Sequence, residues 1–176
     1  MITASHNPAA DNGVKLVDPY GEMLEQSWES YATELANADE SELPNIIYSI
    51  IKNEDIDFAG NTVKTVIARD TRPSGENLAI AVQDGINCMG AKYLDLGIQT
   101  TPILHYVTRC LNTLDQPDKF YGEPTPKGYY KKLAEAFNRA TNGKSKLSTL
   151  TIDCANGVGA VSARNFAKAL GTEHID

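Results

Sequence analysis

The chain has 176 residues, of which 41% are hydrophobic and 22% are charged, and its formal net charge at pH 7 is -7. This length suits one domain with a sizeable core, and the balance of apolar and charged residues excludes an intrinsically disordered chain. An acidic chain argues against general binding of nucleic acid or of an anionic membrane surface, because both need a basic face. It does not exclude a local basic pocket for a phosphorylated small molecule.

No apolar run approaches the roughly 18 residues that a membrane span needs. The N-terminus also lacks the basic start and apolar core of a signal peptide. The three cysteines, Cys88, Cys110 and Cys154, show no metal-ligand spacing. Cys88 and Cys154 lie in apolar stretches and are predicted to be small core residues in a reducing compartment. These features predict a cytoplasmic protein without nucleic-acid or membrane partners.

The first predicted elements are a short strand and two helices. Residues 14–17 alternate between apolar and polar side chains, which predicts a strand. Apolar residues recur at helical spacing over 21–38, and a second helix is predicted over 41–52, with Pro44 in its first turn. Residues 53–61 are predicted to be a loop.

A βαβ unit is predicted next. A β-branched strand over 63–68 is followed by the loop 69–76 and by a helix that ends near Gly90. The next strand is predicted over 91–96, and Pro102 suits the first turn of the helix after it.

The last third of the chain begins with a predicted linker over 112–126, a stretch that has three prolines and no periodicity. Thr125 is predicted to cap a helix that reaches residue 142, where Gly143 would stop it. The remaining predicted elements are a strand over 150–154, a helix over 161–170 and the start of a strand over 173–176.

This alternation of strands and helices predicts an α/β fold with a mixed, mainly parallel sheet and flanking helices. The predicted organisation is a first unit over 1–111, a linker and helix over 112–147, and the start of a second unit over 148–176. Ligands of such folds bind at the carboxyl ends of the strands. The candidate loops are therefore those at 3–13, 69–75, 98–102 and 154–159.

The first of these loops contains Ser5, a candidate nucleophile or phosphate carrier. A turn at Asn12-Gly13 could bring backbone N–H groups towards an anion, and Lys15 adds a cation. The alternative is a generic polar turn, in which His6 is a surface histidine. No G-x-S-x-G elbow is present, so the sequence does not support a hydrolase triad.

The loop at 69–75 places Arg69 and Arg72 on either side of Asp70, directly after a predicted buried strand. Two guanidinium groups suit bidentate contacts with phosphate. The alternative is that Asp70 pairs with one arginine and caps the next helix, and the sequence leaves both open. Thr100 and Thr101 offer hydroxyls in the third loop, and the fourth is predicted to be a strand-to-helix turn.

The strings TASHNP, DNGVK, ARDTRPS, TTP and DCANGVG, in this order, resemble the α-D-phosphohexomutase superfamily. The longer string TASHNPAADNGVKLVDPYGEML is similar to the branch of that superfamily that acts on N-acetylglucosamine phosphates. The resemblance covers essentially the whole chain, and its first motif is highly specific.

The resemblance implies an isomerase that works by phosphoryl transfer. Ser5 matches a serine that is carried as phosphoserine, gives its phosphoryl group to a hexosamine phosphate and takes back the other phosphate of the bound sugar bisphosphate. The implied net reaction interconverts N-acetylglucosamine 6-phosphate and N-acetylglucosamine 1-phosphate, a step towards UDP-N-acetylglucosamine. Lys15 matches a catalytic lysine that transfers a proton near the moving oxygen.

The remaining site residues follow from the same resemblance. His6 is counted with the catalytic residues, and Asn7 with the residues that bind phosphate. Arg69 and Arg72 match a loop of the same domain and are expected to contact substrate phosphate. The implied cofactor is Mg²⁺, held here through the phosphate on Ser5.

The sequence also departs from the superfamily's pattern. The string D-G-D-x-D-R, whose aspartates bind magnesium, does not occur in the chain. We therefore expect a fragment truncated at both ends, which lacks the first strand and the later sugar-reading domains and has little or no activity alone. The alternatives are a phosphoglucomutase or phosphomannomutase, and a non-catalytic module that binds a partner.

Overall fold

A computed structural model describes residues 1–57, 63–142 and 150–171 of the chain. Its strands are β1 (Ile2–Thr3), β2 (Gly13–Val14), β3 (Lys64–Arg69) and β4 (Lys92–Ile98). Its helices are α1 (Gln26–Asn37), α2 (Leu43–Asn53), α3 (Gly75–Cys88), α4 (Thr101–Asn112), α5 (Pro126–Ala140) and α6 (Gly159–Leu170). None of the helices in these ranges combines the length and the hydropathy that a membrane crossing requires.

The four strands form one sheet in the order β2-β1-β3-β4. β1 and β4 both run parallel to β3, whereas β2 is antiparallel to β1. The helix α3 returns the chain to the start of the sheet, so that β3 and β4 can pair in parallel. The predicted α/β fold with a mixed, mainly parallel sheet is confirmed.

Each face of β3 is covered by a helix, because successive residues of a strand point to opposite faces. Ile67 packs with Ala79 of α3, and Ala68 packs with Leu104 of α4. All four side chains are 5% exposed or less. The sheet is therefore the middle layer of an α/β/α arrangement.

A second core joins α4 to the helices that follow it. Its buried members are Ile103, Tyr106, Val107, Cys110 and Tyr130. Phe166 of α6 packs against this cluster, as does Tyr121 of the predicted linker. The Tyr121 ring contacts two cations, since the Arg109 guanidinium is 4.3 Å and the Lys132 ammonium 3.2 Å from its centroid. The connection between α4 and α5 is thus attached to the body of the protein.

Several predicted helix ends are confirmed. Pro102 lies in the first turn of α4, and Thr125 caps α5 by accepting a hydrogen bond of 2.9 Å from the Gly128 amide. α1 begins at Gln26 rather than at residue 21, because Gly21 adopts a φ of 71° in a turn that packs on α4. The predicted helix stop at Gly143 lies outside the described residues.

The strand β1 has no counterpart among the predicted elements. Its two residues are too few to show a period. Nevertheless Ile2 is 1% exposed and lies between β2 and β3, opposite Val14 and Arg69. The loop that carries Ser5 therefore leaves the sheet from an interior strand.

Two predicted strands differ from the structure. The strand predicted over 14–17 is reduced to β2, and beyond it only an isolated bridge joins Val17 to Met23. The prediction of a strand over 150–154 is wrong, because these residues find no pairing partner in the described ranges. Residues 150–153 are accordingly exposed, with Leu150 at 77%. The strand predicted over 173–176 lies outside the described residues.

The cysteine prediction is half wrong. Cys88 is exposed at the end of α3, and Cys154 is half-buried. Cys110, on the inner face of α4, is the buried thiol, and its burial raises its pKa. The apolar stretch around Cys88 misled the prediction because only one face of an amphipathic helix is buried.

Candidate active site

Ser5 lies just beyond the carboxyl end of β1, with its side chain exposed. Its backbone φ of 54° is in the left-handed region. The Ser5 amide donates to Thr3 Oγ1 at 2.9 Å, and the Asn7 amide donates to the Ala4 carbonyl at 2.9 Å. A left-handed conformation costs a non-glycine residue about 1 kcal/mol and often marks a functional site. The loop therefore holds Ser5 in a conformation that serine alone does not favour.

Ser5, Asn7 and Lys15 line one cavity of about 560 Å³. This cavity lies between the Ser5 loop, β2 and α1, and α1 contributes Glu29 and Thr33 to its wall. The structure thus brings together three of the six predicted site residues.

Lys15 is joined to Met1 through their backbones. The Lys15 amide donates to the Met1 carbonyl at 2.7 Å, and the Met1 amino group donates to the Lys15 carbonyl at 2.9 Å. Burial, and secondarily the positive charge of Lys15, lowers the pKa of the Met1 amino group to about 6. Among the described residues that line the cavity, Lys15 is the one with a basic side chain.

Arg72 lies behind the Ser5 loop and not among the residues that line the cavity. Its guanidinium forms an ion pair with Asp70 and donates to the carbonyls of Ser5 and Asn7 at 3.1 and 3.2 Å. Asp70 is 4% exposed and also accepts the Arg72 amide at 3.0 Å. Asp70 therefore pairs with one arginine, as the alternative prediction for this loop has it. It does not occupy the position before α3, which belongs to Ser74.

Arg69 and His6 are not brought to the cavity wall. The stem of Arg69 packs on the start of α3, since its Cδ lies 3.6 Å from where a Cβ on Gly75 would be. His6 is exposed on the loop and is absent from the residues that line the cavity with Ser5. Their predicted roles stay predictions.

The third candidate loop lines a cavity next to that of Ser5, and the fourth leads into α6. Thr101 lines a second cavity of about 410 Å³, to which Lys15 and His105 also contribute. This cavity adjoins the first through Lys15. The loop at 154–159 turns into α6, with Ala155 and Asn156 at φ values of 47° and 55°.

The described residues do not form a magnesium site of their own. Ranges 1–57, 63–142 and 150–171 contain no cluster of three or more histidine, cysteine or carboxylate side chains that could hold a metal ion. Two carboxylates, Asp11 and Glu29, line the Ser5 cavity. Mg²⁺ demands near-ideal octahedral oxygen geometry, and this donor set does not supply it.

Two features of the site escape prediction from the sequence. The wall formed by Glu29 and Thr33 depends on how α1 lies against the loop, and no spacing rule relates these positions to Ser5. The second is a hydrogen bond of 3.0 Å from Asn12 Nδ2 to Ser74 Oγ, which ties the loop to the start of α3. Both are contacts between distant parts of the chain, and the sequence indicates only that the residues involved are polar.

Comparison with known families gives a match over most of the chain. Residues 1–43 and 44–116 match the family described as phosphoglucomutase/phosphomannomutase, alpha/beta/alpha domain I. This segment contains all six predicted site residues.

The chain is also similar to curated proteins. It is 46% identical over 170 residues to the phosphoacetylglucosamine mutase of Homo sapiens. This alignment covers 94% of this chain and 30% of the human protein. It is 47% identical over 174 residues to that of Candida albicans, covering 91% of this chain and 31% of the relative. The chain therefore spans about a third of the length of these relatives.

Solved structures agree with this similarity. The N-acetylphosphoglucosamine mutase of Aspergillus fumigatus, in complex with GlcNAc-6P and magnesium, superposes with a TM-score of 0.87 at 50% identity. The match covers 96% of this chain and 31% of the Aspergillus chain. A structure of a serine-to-alanine variant of that enzyme, in complex with glucose 1,6-bisphosphate, gives a TM-score of 0.88 at 48% identity and covers 94% of this chain and 30% of the variant.

Proposed function

Since this chain belongs to the phosphoglucomutase/phosphomannomutase family of the α-D-phosphohexomutase superfamily, we propose that it carries the phosphoserine unit of a phosphoacetylglucosamine mutase. The reaction served is the interconversion of N-acetylglucosamine 6-phosphate and N-acetylglucosamine 1-phosphate, towards UDP-N-acetylglucosamine. The observation that carries the proposal is the 46–47% identity to such mutases over more than nine-tenths of the chain. The family match over residues 1–43 includes the Ser5 loop.

Ser5 is the proposed phosphoryl carrier. In the forward step the bond between phosphorus and Ser5 Oγ breaks and a bond to a sugar hydroxyl oxygen forms, which gives a bound hexosamine bisphosphate. The second half of the reaction returns the other phosphoryl group to Ser5 Oγ. Such transfers depend mainly on positioning and on neutralisation of charge, and an exposed serine on a braced loop suits that demand.

Lys15 is the proposed proton relay. The net proton movement runs from the sugar hydroxyl to Ser5 Oγ, and the Lys15 side chain lines the same cavity as Ser5. Its charge also offsets part of the roughly -1.5 to -2 charge of a phosphoserine. His6 is proposed to act beside Ser5, and Asn7 and Arg69 are proposed to contact phosphate. The sequence predicts the same contact for Arg72, whose guanidinium here contacts Asp70 and the carbonyls of Ser5 and Asn7.

Magnesium use is proposed for the whole reaction, because a related structure contains GlcNAc-6P and magnesium. When bound, Mg²⁺ would neutralise phosphate charge. The described part of this chain has no three-ligand cluster for it. We therefore expect the phosphate on Ser5 to be the main ligand that this chain offers, and the chain alone to have little or no mutase activity.

The test is to charge Ser5. The full chain is incubated with glucose 1,6-bisphosphate and Mg²⁺, and the peptide over residues 1–15 is analysed by mass spectrometry. We expect phosphate on Ser5, none on the Ser5→Ala variant, and charging slowed about 100-fold or more in Lys15→Met, since a positioned proton-transfer group contributes that much.

An unmodified Ser5 in every molecule would overturn the proposal for this chain and favour the non-catalytic binding module. Turnover of N-acetylglucosamine 6-phosphate by the purified chain, without other polypeptides, would instead contradict the expected lack of activity.

A further inference from the structure

We propose that Arg72 and Asp70 are positioning residues for Ser5: the Arg72 guanidinium, oriented by the buried Asp70 carboxylate, holds the backbone on both sides of His6 and so maintains the left-handed turn at Ser5. The relevance of this turn to phosphoryl transfer rests on the proposed function. The geometry itself does not depend on it.

The contacts of Arg72 with the loop go to backbone oxygens. One nitrogen, Nη2, donates to the carbonyls of Ser5 and Asn7 at 3.1 and 3.2 Å. These two carbonyls are 67 and 65 positions away in the chain. Hydrogen bonds from a charged donor are the stronger kind. Two of them converge on a three-residue turn and fix its peptide planes.

Asp70 determines where the guanidinium points. Its Oδ2 forms the ion pair with Arg72 Nη1, and its Oδ1 accepts the Arg72 amide at 3.0 Å. The Asp70 amide in turn donates to the Ile2 carbonyl at 3.1 Å, which extends the pairing of β1 with β3. The brace is therefore anchored on the strand that precedes Ser5.

The turn needs this support. Ser5 has a φ of 54°, which a residue with a side chain does not prefer. The local bond from the Ser5 amide to Thr3 Oγ1 and the two bonds from Arg72 all lie in exposed surroundings, where water competes with them. The bonds from Arg72 have a charged donor, which makes them the stronger kind, and the Arg72 side chain is itself only 21% exposed and paired with Asp70. Loss of the brace is expected to release the turn at residues 5–7.

The other end of the loop is fastened separately. Asn12 Nδ2 donates to Ser74 Oγ at 3.0 Å, and the Lys15 amide donates to the Met1 carbonyl at 2.7 Å. These contacts do not involve Arg72. A change at Arg72 should therefore loosen the turn around Ser5 without detaching the whole loop, which makes the effect local and measurable.

The experiment compares Arg72→Lys with the matched control Arg139→Lys in the full chain, because Arg139 is an exposed arginine of α5. Lysine keeps a positive charge for Asp70 but lacks the planar fork of the guanidinium. NMR relaxation of the backbone amides should give order parameters near 0.85 at residues 5–7 in the parent and the control, and below about 0.6 in Arg72→Lys. Val107 in α4 should stay near 0.85 in all three.

A functional readout accompanies the relaxation data. The initial rate of Ser5 phosphorylation by glucose 1,6-bisphosphate should fall about tenfold or more in Arg72→Lys, because the free energy of one charge-assisted hydrogen bond corresponds to a factor of that size. The thermal midpoint should shift little, because Asp70 keeps a cationic partner. A purely structural role for Arg72 would lower the midpoint and leave the order parameters of the folded molecules unchanged.

Asp70→Asn is the second variant, for the case in which Arg72→Lys does not fold. It keeps the guanidinium and removes the charge that orients it, so we expect order parameters between those of the parent and about 0.6. Unchanged order parameters at residues 5–7 in every folded variant would overturn the proposal. If Ser5 in the parent takes up no phosphate, the proposed function fails, whereas the relaxation data still decide the positioning role.

Discussion

Gly21 occupies a position that excludes a side chain for two reasons: its backbone conformation and its close contact with α4. Its φ is 71°, and a Cβ built on it would overlap the carbonyl oxygen of His105 in α4. The Gly21 carbonyl is also 2.8 Å from His105 Nδ1, which places it in a hydrogen bond. The turn before α1 is therefore seated directly on α4 through a residue without a side chain.

Gly21→Ala is expected to destabilise the chain by about 3 kcal/mol, because it adds both overpacking and a disfavoured φ. Urea unfolding would measure the change. Gly85→Ala is the matched control, since Gly85 is an exposed helical glycine of α3 and a Cβ added to it would have no neighbour within 4 Å. That variant should be neutral or more stable by up to about 1 kcal/mol. Equal effects at both positions would contradict this explanation of Gly21.

For single residues, the sequence predicts which side chains belong to the site better than it predicts what each of them contacts. Ser5, Asn7 and Lys15 could be predicted to lie together, because they fall within eleven consecutive residues whose motif is specific. The brace formed by Arg72 could not be predicted. A guanidinium donates hydrogen bonds to phosphate and to backbone carbonyls, and only the tertiary structure decides between them.

Among the elements, α5 shows how a single side chain sets a helix boundary. Thr125 has a φ of -139°, and its Oγ1 accepts the Gly128 amide at 2.9 Å. That amide is one of the four that a helix start leaves without an internal partner. The cap fixes the start of α5, and α5 contributes Tyr130 to the second core.

Thr125→Ala should cost about 1 kcal/mol of stability, which is the usual weight of a helix cap. Denaturant titration followed by circular dichroism would measure it. Thr33→Ala serves as the control, because the Thr33 hydroxyl donates within α1 to the Glu29 carbonyl at 2.8 Å and caps nothing. This control should change stability by less than about 0.5 kcal/mol. A loss at Thr33 as large as that at Thr125 would rule out the capping explanation.

Elements with a strong local signal were predictable, and those that depend on pairing were not. α4 and α5 carry periodic apolar faces together with proline in the first turn, so the sequence predicts the start of α4, and it predicts α5 from its cap at Thr125 to within two residues of its end. β1 is a strand only because β2 and β3 flank it. Residues 150–154 have the composition of a strand but no neighbouring strand in the described ranges.

For the molecule as a whole, taken as a polypeptide of these 176 residues, the free amino group of Met1 links stability to pH. Met1 is buried against Ala68 and Leu104, and the pKa of its amino group falls from 8.0 to about 6 on folding. Between pH 6 and 8 the unfolded chain therefore binds more protons at this group than the folded chain does. Stability must then rise with pH across this interval and level off above pH 8.

The expected rise between pH 6 and 8 is about 2 kcal/mol. Urea unfolding at several pH values would measure it, and the N-terminally acetylated chain is the control. Whatever its absolute stability, the acetylated chain should lose this part of the pH dependence, because its terminus no longer titrates. An identical slope for both chains would show that other groups cause the effect.

The division into units over 1–111, 112–147 and 148–176 stays a prediction at this scale. The cluster that joins Ile103, Tyr130 and Phe166 shows that α4, α5 and α6 share one core in the described ranges.

The interior position of β1 has a consequence for the order of folding. β3, α3 and β4 are consecutive in the chain and can assemble through short-range contacts, whereas Ser5 meets Arg72 across 67 residues. Contacts between distant positions form at a higher entropic cost and tend to form later. We therefore expect the serine loop to be among the last parts to acquire its native shape: Ile2→Val should mainly accelerate unfolding, whereas Ile67→Val should mainly slow refolding.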